Sequence, residues 1–243
     1  MNNVTRITAV LAIAALALTA SAAGAFTLRS PQVVFASSTL QGDLTAWDGG
    51  IIAATQQLDA QAFSTGLTGN TDFTLLLKSS PNAAIGVYNV LGGATPPLYQ
   101  LFAPATPVDY YVSCHFASGG NLAVTLFDNN GVAQGTTNFT GVDRTNFGFY
   151  ISTASVPPSA PAGVNSPVYT WYSQDSRNGG SAQALTYQGT DGVNTGEWFE
   201  CFEANPYSPA SMFTSAVLVL QSVNPLPTPT RQGSWGALKA SYR

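Results

Sequence analysis

The chain has 243 residues and a formal net charge of −4; only 8% of its residues are charged, while 45% are hydrophobic. Ordinary soluble proteins carry about 25% charged residues, so solubility here rests on Ser, Thr, Asn, Gln and backbone amides, and the apolar content excludes an intrinsically disordered chain. No cluster of Lys or Arg occurs anywhere, which excludes nucleic acid and anionic lipid as partners, because both are bound through phosphate neutralisation.

The first element is residues 7–20, ITAVLAIAALALTA, behind Arg6 and ahead of Ala23-Gly24-Ala25. A basic start, a short apolar run and a small-residue cleavage site make a secretory signal peptide over residues 1–25. About 14 apolar residues cannot cross a hydrocarbon core of roughly 30 Å. Cleavage before Phe26 is therefore expected, with no integral membrane segment afterwards and a secreted or cell-surface location. The released chain keeps seven of the eight basic residues and all twelve acidic ones, a formal −5.

From Phe26 onward the sequence reads as short strands punctuated by turns. The candidates are residues 33–35, 73–77, 84–90, 110–116, 122–127, 147–151, 168–172, 182–187, 197–202 and 215–223. They are rich in Val, Phe, Tyr, Trp and Thr, and Gly-Gly, Asn-Gly, Asp-Gly and Pro-Pro lie between them. Residues 122–132, LAVTLF-DNNG-V, form the clearest hairpin signal. No segment longer than ten residues has a convincing 3.6-residue period. The expected fold is all-β, a β-sandwich or jelly roll in one domain over residues 26–223. Residues 155–167 read as a Pro/Ser-rich surface loop. Residues 224–230, NPLPTPT, read as an extended linker stiffened by prolines.

Residues 231–243, RQGSWGALKASYR, follow the linker. A helix from Ser234 places Trp235, Leu238 and Tyr242 on one face, with Lys239 and Arg243 in the last turn. Such a tail either docks on its own domain or is recognised by export or surface-attachment machinery.

Few residues could carry chemistry. Cys114 and Cys201 are an even pair in an exported chain, which points to one disulfide, with two buried free thiols as the alternative. His115 is the only histidine and adjoins Cys114 on a strand, so the two side chains face opposite ways. Neither a nucleophile–base pair nor a zinc site follows, and no catalytic or metal residue is assigned. Glu197, Glu200 and Glu203 raise a glycosidase reading, but on a strand Glu197 and Glu203 stand about 20 Å apart, too far for a working carboxylate pair. Trp171 and Trp198 are candidates for stacking on glycans, against the alternative that strand aromatics of this kind pack into the core. Asp128, Asn129 and Asn130 fit a hairpin turn. The sequon Asn138-Phe139-Thr140 matters only in a glycosylating host.

Several phrases, in order, resemble a family of exported bacterial β-sandwich proteins of uncharacterised function: NAAIGVY at 82–88, FGFY at 147–150, YSQDSRN at 172–178, QALTYQG at 183–189 and WFECFE at 198–203. The resemblance implies a β-rich exported module and a calcium-binding acidic loop after Phe202-Glu203. Here Phe202, Glu203 and Phe213 keep the frame, but Met212, Thr214 and Ser215 stand where the carboxylates would be. Only Glu203 and Asp175 remain as ligands, so no cofactor is expected and calcium is disfavoured. The tail also resembles Trp-Gly…Lys…Tyr-Arg endings of exported bacterial proteins. Together these features predict a non-enzymatic cell-surface or extracellular-matrix protein whose partners are surface glycans or other extracellular proteins. A carbohydrate-binding module is the first alternative, and an extracellular hydrolase with an unrecognised site the second.

Overall fold

The computed structural model describes residues 27–35, 38–80, 82–153, 169–191, 196–204 and 212–227. The expected signal peptide, the expected loop at 155–167 and the tail carrying Trp235, Leu238, Lys239 and Tyr242 lie outside them. The described chain is mostly β, with two antiparallel sheets. In order it forms helix α1 (Ser38–Trp47), β1 (Ala60–Thr65), β2 (Asn70–Leu77), β3 (Ala83–Asn89), β4 (Leu98–Phe102), β5 (Tyr111–Phe116), β6 (Asn121–Phe127) and β7 (Ala133–Thr140). Then come β8 (Phe147–Thr153), β9 (Tyr169–Tyr172), a 3-10 turn (Asp175–Asn178), β10 (Ala184–Gln188), β11 (Trp198–Phe202), β12 (Ala216–Gln221) and β13 (Val223–Pro227).

One sheet runs β10-β11-β12-β2-β5-β6-β7; the other runs β13-β1-β8-β3-β4, with β9 also paired to β8. The chain passes between them six times, and two of these crossings are corners that run side by side. β1 and β2 lie in different sheets, and so do β12 and β13, while β1 pairs with β13 and β2 with β12. Ser222 makes the second corner in a single residue, in the left-handed region at φ 58°. That corner splits residues 215–223, expected as one strand. It also places residues 224–227 of the expected linker in a strand: β13 takes residues 223–227 into the sheet. Pro225 and Pro227 are tolerated because β13 is a terminal strand needing donors on one side only.

Both sheets contribute to one buried apolar cluster. Phe149 of β8 meets Phe63 of β1 and Phe73 of β2 edge-on, at 5.1 and 5.2 Å between ring centres. A second cluster lies on the other face of β10, β11 and β12, covered by α1 and residues 51–53. The sequence reading placed no helix here; in α1, Leu40, Leu44 and Trp47 recur at helical spacing and turn inward, both leucines fully buried. Residues 33–35 are not a strand. They run extended over this second cluster, and buried Gln57 replaces a pairing strand: its Oε1 accepts from Val33 N at 2.7 Å and its Nε2 donates to Val33 O at 2.9 Å.

Cys114 and Cys201 are both free and buried. Cys114 faces the shared core from β5, while Cys201 faces the second cluster from β11. The sheet order puts three strand steps between β11 and β5, or about 14 Å at ~4.8 Å per step, against a disulfide limit near 7 Å. Separation and opposite facing thus overturn the expected bridge. Burial pushes both thiols up, so they stay protonated and inert.

Candidate functional site

Three of the phrases that carried the family resemblance, at 82–88, 147–150 and 172–178, meet on the outer side of the β3–β8 pair, while those at 183–189 and 198–203 lie in β10 and β11 of the other sheet. Gly86 stands opposite Tyr150, and Gly148 opposite Tyr88. A Cβ on Gly148 would sit 2.6 Å from the Tyr88 ring, and one on Gly86 2.8 Å from the Tyr150 ring. Each glycine makes room for the tyrosine across from it, and Gly86 also admits the β4 backbone, whose Tyr99 O would stand 2.1 Å from its Cβ. Tyr172 meets Tyr88 edge-on at 4.9 Å, and the Arg177 guanidinium lies 5.2 Å from the Tyr88 ring centre and 5.6 Å from that of Tyr172. Arg177 also donates to Val90 O, Gly93 O and Gln174 Oε1. Asn178 brackets Tyr172, accepting from its N–H and donating to its carbonyl. Hydrogen bonding and cation–π contact occupy this cluster fully, so it clamps the 3-10 turn onto the sheet.

Beside that turn lies a cleft of about 490 Å³ lined by Arg29, Asp59, Gln61, Asp175, Ser181 and Phe213 among others. Arg29 is paired with Asp175. Asp175 N is held by Gln61 Oε1 at 3.0 Å, which ties the turn to β1. Burial pushes the Asp175 carboxyl up against the pull of Arg29. The cleft offers a committed guanidinium and carboxylates, but the single histidine is elsewhere: His115, on the exposed side of β5, shares a 2.7 Å contact with Asn70 Oδ1. No nucleophile–base–orienter set converges on the cleft among the described residues.

The three glutamates of the glycosidase reading have separate structural tasks. Gln221 Nε2 donates to Glu197. Glu203 is buried; its Oε2 accepts from Met212 N at 2.7 Å and Phe213 N at 3.3 Å, and its Oε1 from Ser215 at 3.3 Å. Those donors lie in the stretch that the family resemblance marks as a calcium loop, and here they fold onto Glu203 directly. Glu200 is sealed between the sheets, with no exposed surface. Thr186 Oγ1 stands 2.7 Å from Ala60 O and 2.6 Å from Glu200 Oε2. Thr186 has one hydroxyl proton, so both contacts are hydrogen bonds only when protonated Glu200 donates to Thr186 and Thr186 donates to Ala60. Complete burial acts in the same direction, pushing the Glu200 carboxyl up to about 8. A neutral acid thus stitches β10 and β11 to β1 in the other sheet, out of reach of any substrate.

Trp198 is buried, and its indole N–H donates to Val223 O at 3.1 Å. Of its two readings the structure shows the core one: Trp198 shares the inward face of β11 with Phe202 and offers no open ring face to a glycan. Trp171 is half-buried against the shared core and stacks parallel to Tyr169 at 6.1 Å. Comparison with protein-family models, with curated proteins and with solved structures found no match.

Sequence reasoning missed Asp48 and β7. Asp48 is buried at the end of α1 and accepts from Gly50 N, Thr190 N, Thr190 Oγ1 and Asp191 N. Burial alone would raise its carboxyl, but these donors outweigh it and hold it below the usual range. Asp48-Gly49-Gly50 after a Leu40/Leu44/Trp47 stripe was the available signal. β7 is the second strand of the 122–132 hairpin, whose turn is held by Asp128 Oδ1 accepting from Asn130 N and Val132 N. Seven of its eight residues are exposed, on both faces, with Phe139 half-buried against Tyr99. Its polar sequence AQGTTNFT hid it from a search for apolar alternation.

Proposed function

We propose that this chain is an exported, non-enzymatic β-sandwich protein of the cell surface or extracellular matrix, working through its outer surface rather than through a reaction. The observation carrying this reading is the contrast between its acids and β7. The carboxylates that suggested hydrolysis are engaged in the fold, whereas an eight-residue, uncharged, Thr/Asn/Gln-rich strand lies open to solvent. The signal-peptide sequence at residues 1–25, the low charge and the resemblance to exported bacterial modules support the location. The two inert thiols are compatible with it and do not argue for it.

Fractionating cells that express the full chain tests the proposal. The expected result is protein in the medium or surface fraction beginning at Phe26; an intact Met1 chain confined to the cytoplasm overturns it. Deleting residues 231–243 is expected to leave the melting temperature unchanged and shift the protein between surface and medium if the tail is an address. Glycan binding is the second reading, and it now rests on the Tyr169–Trp171 stack alone. Binding in a polysaccharide pull-down that is lost in Trp171→Ala would favour it.

A further inference from the structure

The two sheets have five terminal strands, β9 among them because it pairs with β8 alone, and a bare terminal strand exposes a row of unpaired N–H and C=O groups that invites another strand. Four of the five are blunted. β9 has only four residues, and Asn178 takes up the N–H and C=O of its Tyr172. β13 carries Pro225 and Pro227, which have no N–H to donate. β4 has five residues between Pro96-Pro97 and Pro104. β10 is capped by Leu58, which bridges to Thr186 and donates its N–H to Thr186 O at 2.9 Å. β7 has none of these devices. It pairs, among the described residues, with β6 alone, and it carries no charge and no proline. A bulge interrupts its first two residues, which leaves 135–140 in regular register with β6.

We infer that β7 is a self-association edge, and that two copies of this chain join by antiparallel β7–β7 pairing into a fourteen-stranded sheet. Antiparallel pairing of identical strands about a twofold axis normal to the sheet keeps each face continuous. A register centred on Thr137 sets Thr137 opposite itself, Thr136 opposite Asn138 and Gly135 opposite Phe139. Threonine pairs are favourable across strands. The Gly135–Phe139 pairing repeats the aromatic-over-glycine arrangement already present at Tyr88–Gly148. No charge need be desolvated, because the strand has none. With the other terminal strands blunted, the assembly stops at two copies. The inference depends on the fold alone and not on the proposed location.

Sedimentation equilibrium of the purified chain from about 1 to 200 µM tests it. An interface built on one strand belongs with weak, transient contacts, so a rise from one chain mass to two across that range is expected. Thr137→Lys places two like charges at the axis and should weaken association at least tenfold without changing the melting temperature. Gln100→Lys, on the blunted β4, should leave association unchanged. A single chain mass throughout, or a dimer that survives Thr137→Lys and dissolves with Gln100→Lys, overturns the inference. A monomer that still reaches the cell surface would fail this inference and leave the proposed function standing.

Discussion

The two ends of the seven-stranded sheet are opposites. At the β10–β12 end every residue of β11 is buried and β12 is buried through its first five, because the other sheet covers one face and α1 with residues 51–53 covers the other. At the β7 end nearly every side chain meets water on both faces. One hydrogen-bonded sheet thus changes from doubly covered to bare over six strand steps. The side chains decide where: WFECF and AVLVLQ need cover on both faces, whereas AQGTTNFT needs none. The covered end is where the fold is held, and the bare end is the part left available for contact.

Substitutions at the two ends should therefore differ by an order of magnitude. Leu44→Ala removes a fully buried side chain where α1 meets the covered end; core truncations of this kind cost about 2–5 kcal/mol, readable as a lower urea midpoint with α1 loosened in hydrogen exchange. An effect of similar size, spread over pH and diagnostic in its shape, comes from Glu200. Its folded pKa of about 8 lies above the ordinary 4.5, so between those values the folded state holds a proton that the unfolded chain has released. Stability from this group is full below about pH 4.5, falls as pH rises towards 8 and is flat above, with a slope of up to about 1.4 kcal/mol per pH unit. Glu200→Gln can donate to Thr186 as the protonated acid does and should flatten that slope. A slope that survives the substitution assigns the titration to another group. At the bare end, Thr137→Ala should change stability by less than about 0.5 kcal/mol; a larger loss in chemical denaturation would mean that β7 is covered after all.

Most strands were legible because their pattern is local. Residues 73–77, 84–90, 122–127, 147–151 and 197–202 alternate or run apolar between turn residues; three lie within an observed strand, and 84–90 and 197–202 overrun theirs by one residue. The misses have particular causes. Residues 33–35 are apolar enough for a strand, but Val33 exchanges its backbone hydrogen bonds with the Gln57 side chain instead of a neighbouring strand. Residues 223–227 look like a proline linker because proline is excluded from central strands, and nothing local says that this one is terminal. α1 has its apolar stripe, but Gly42 and two threonines weaken its helical signature. Alternation correctly separated Glu200 from Cys201 across β11 and Cys114 from His115 across β5. It could not reveal which face was covered and by what.

The sequence by itself determined the all-β character of the described chain, the hairpin at 122–132 and the scarcity of charge. These follow from side-chain type and short-range spacing, which act over a few residues. Only the tertiary structure decided that Cys114 and Cys201 stand three strands apart, that Glu200 is a sealed acid and that Trp198 points inward. It alone decided that β7 is the bare edge while β4, β10 and β13 are blunted. Each of these depends on which distant strands become neighbours, and long-range pairing is set by burial of the whole chain rather than by any one segment.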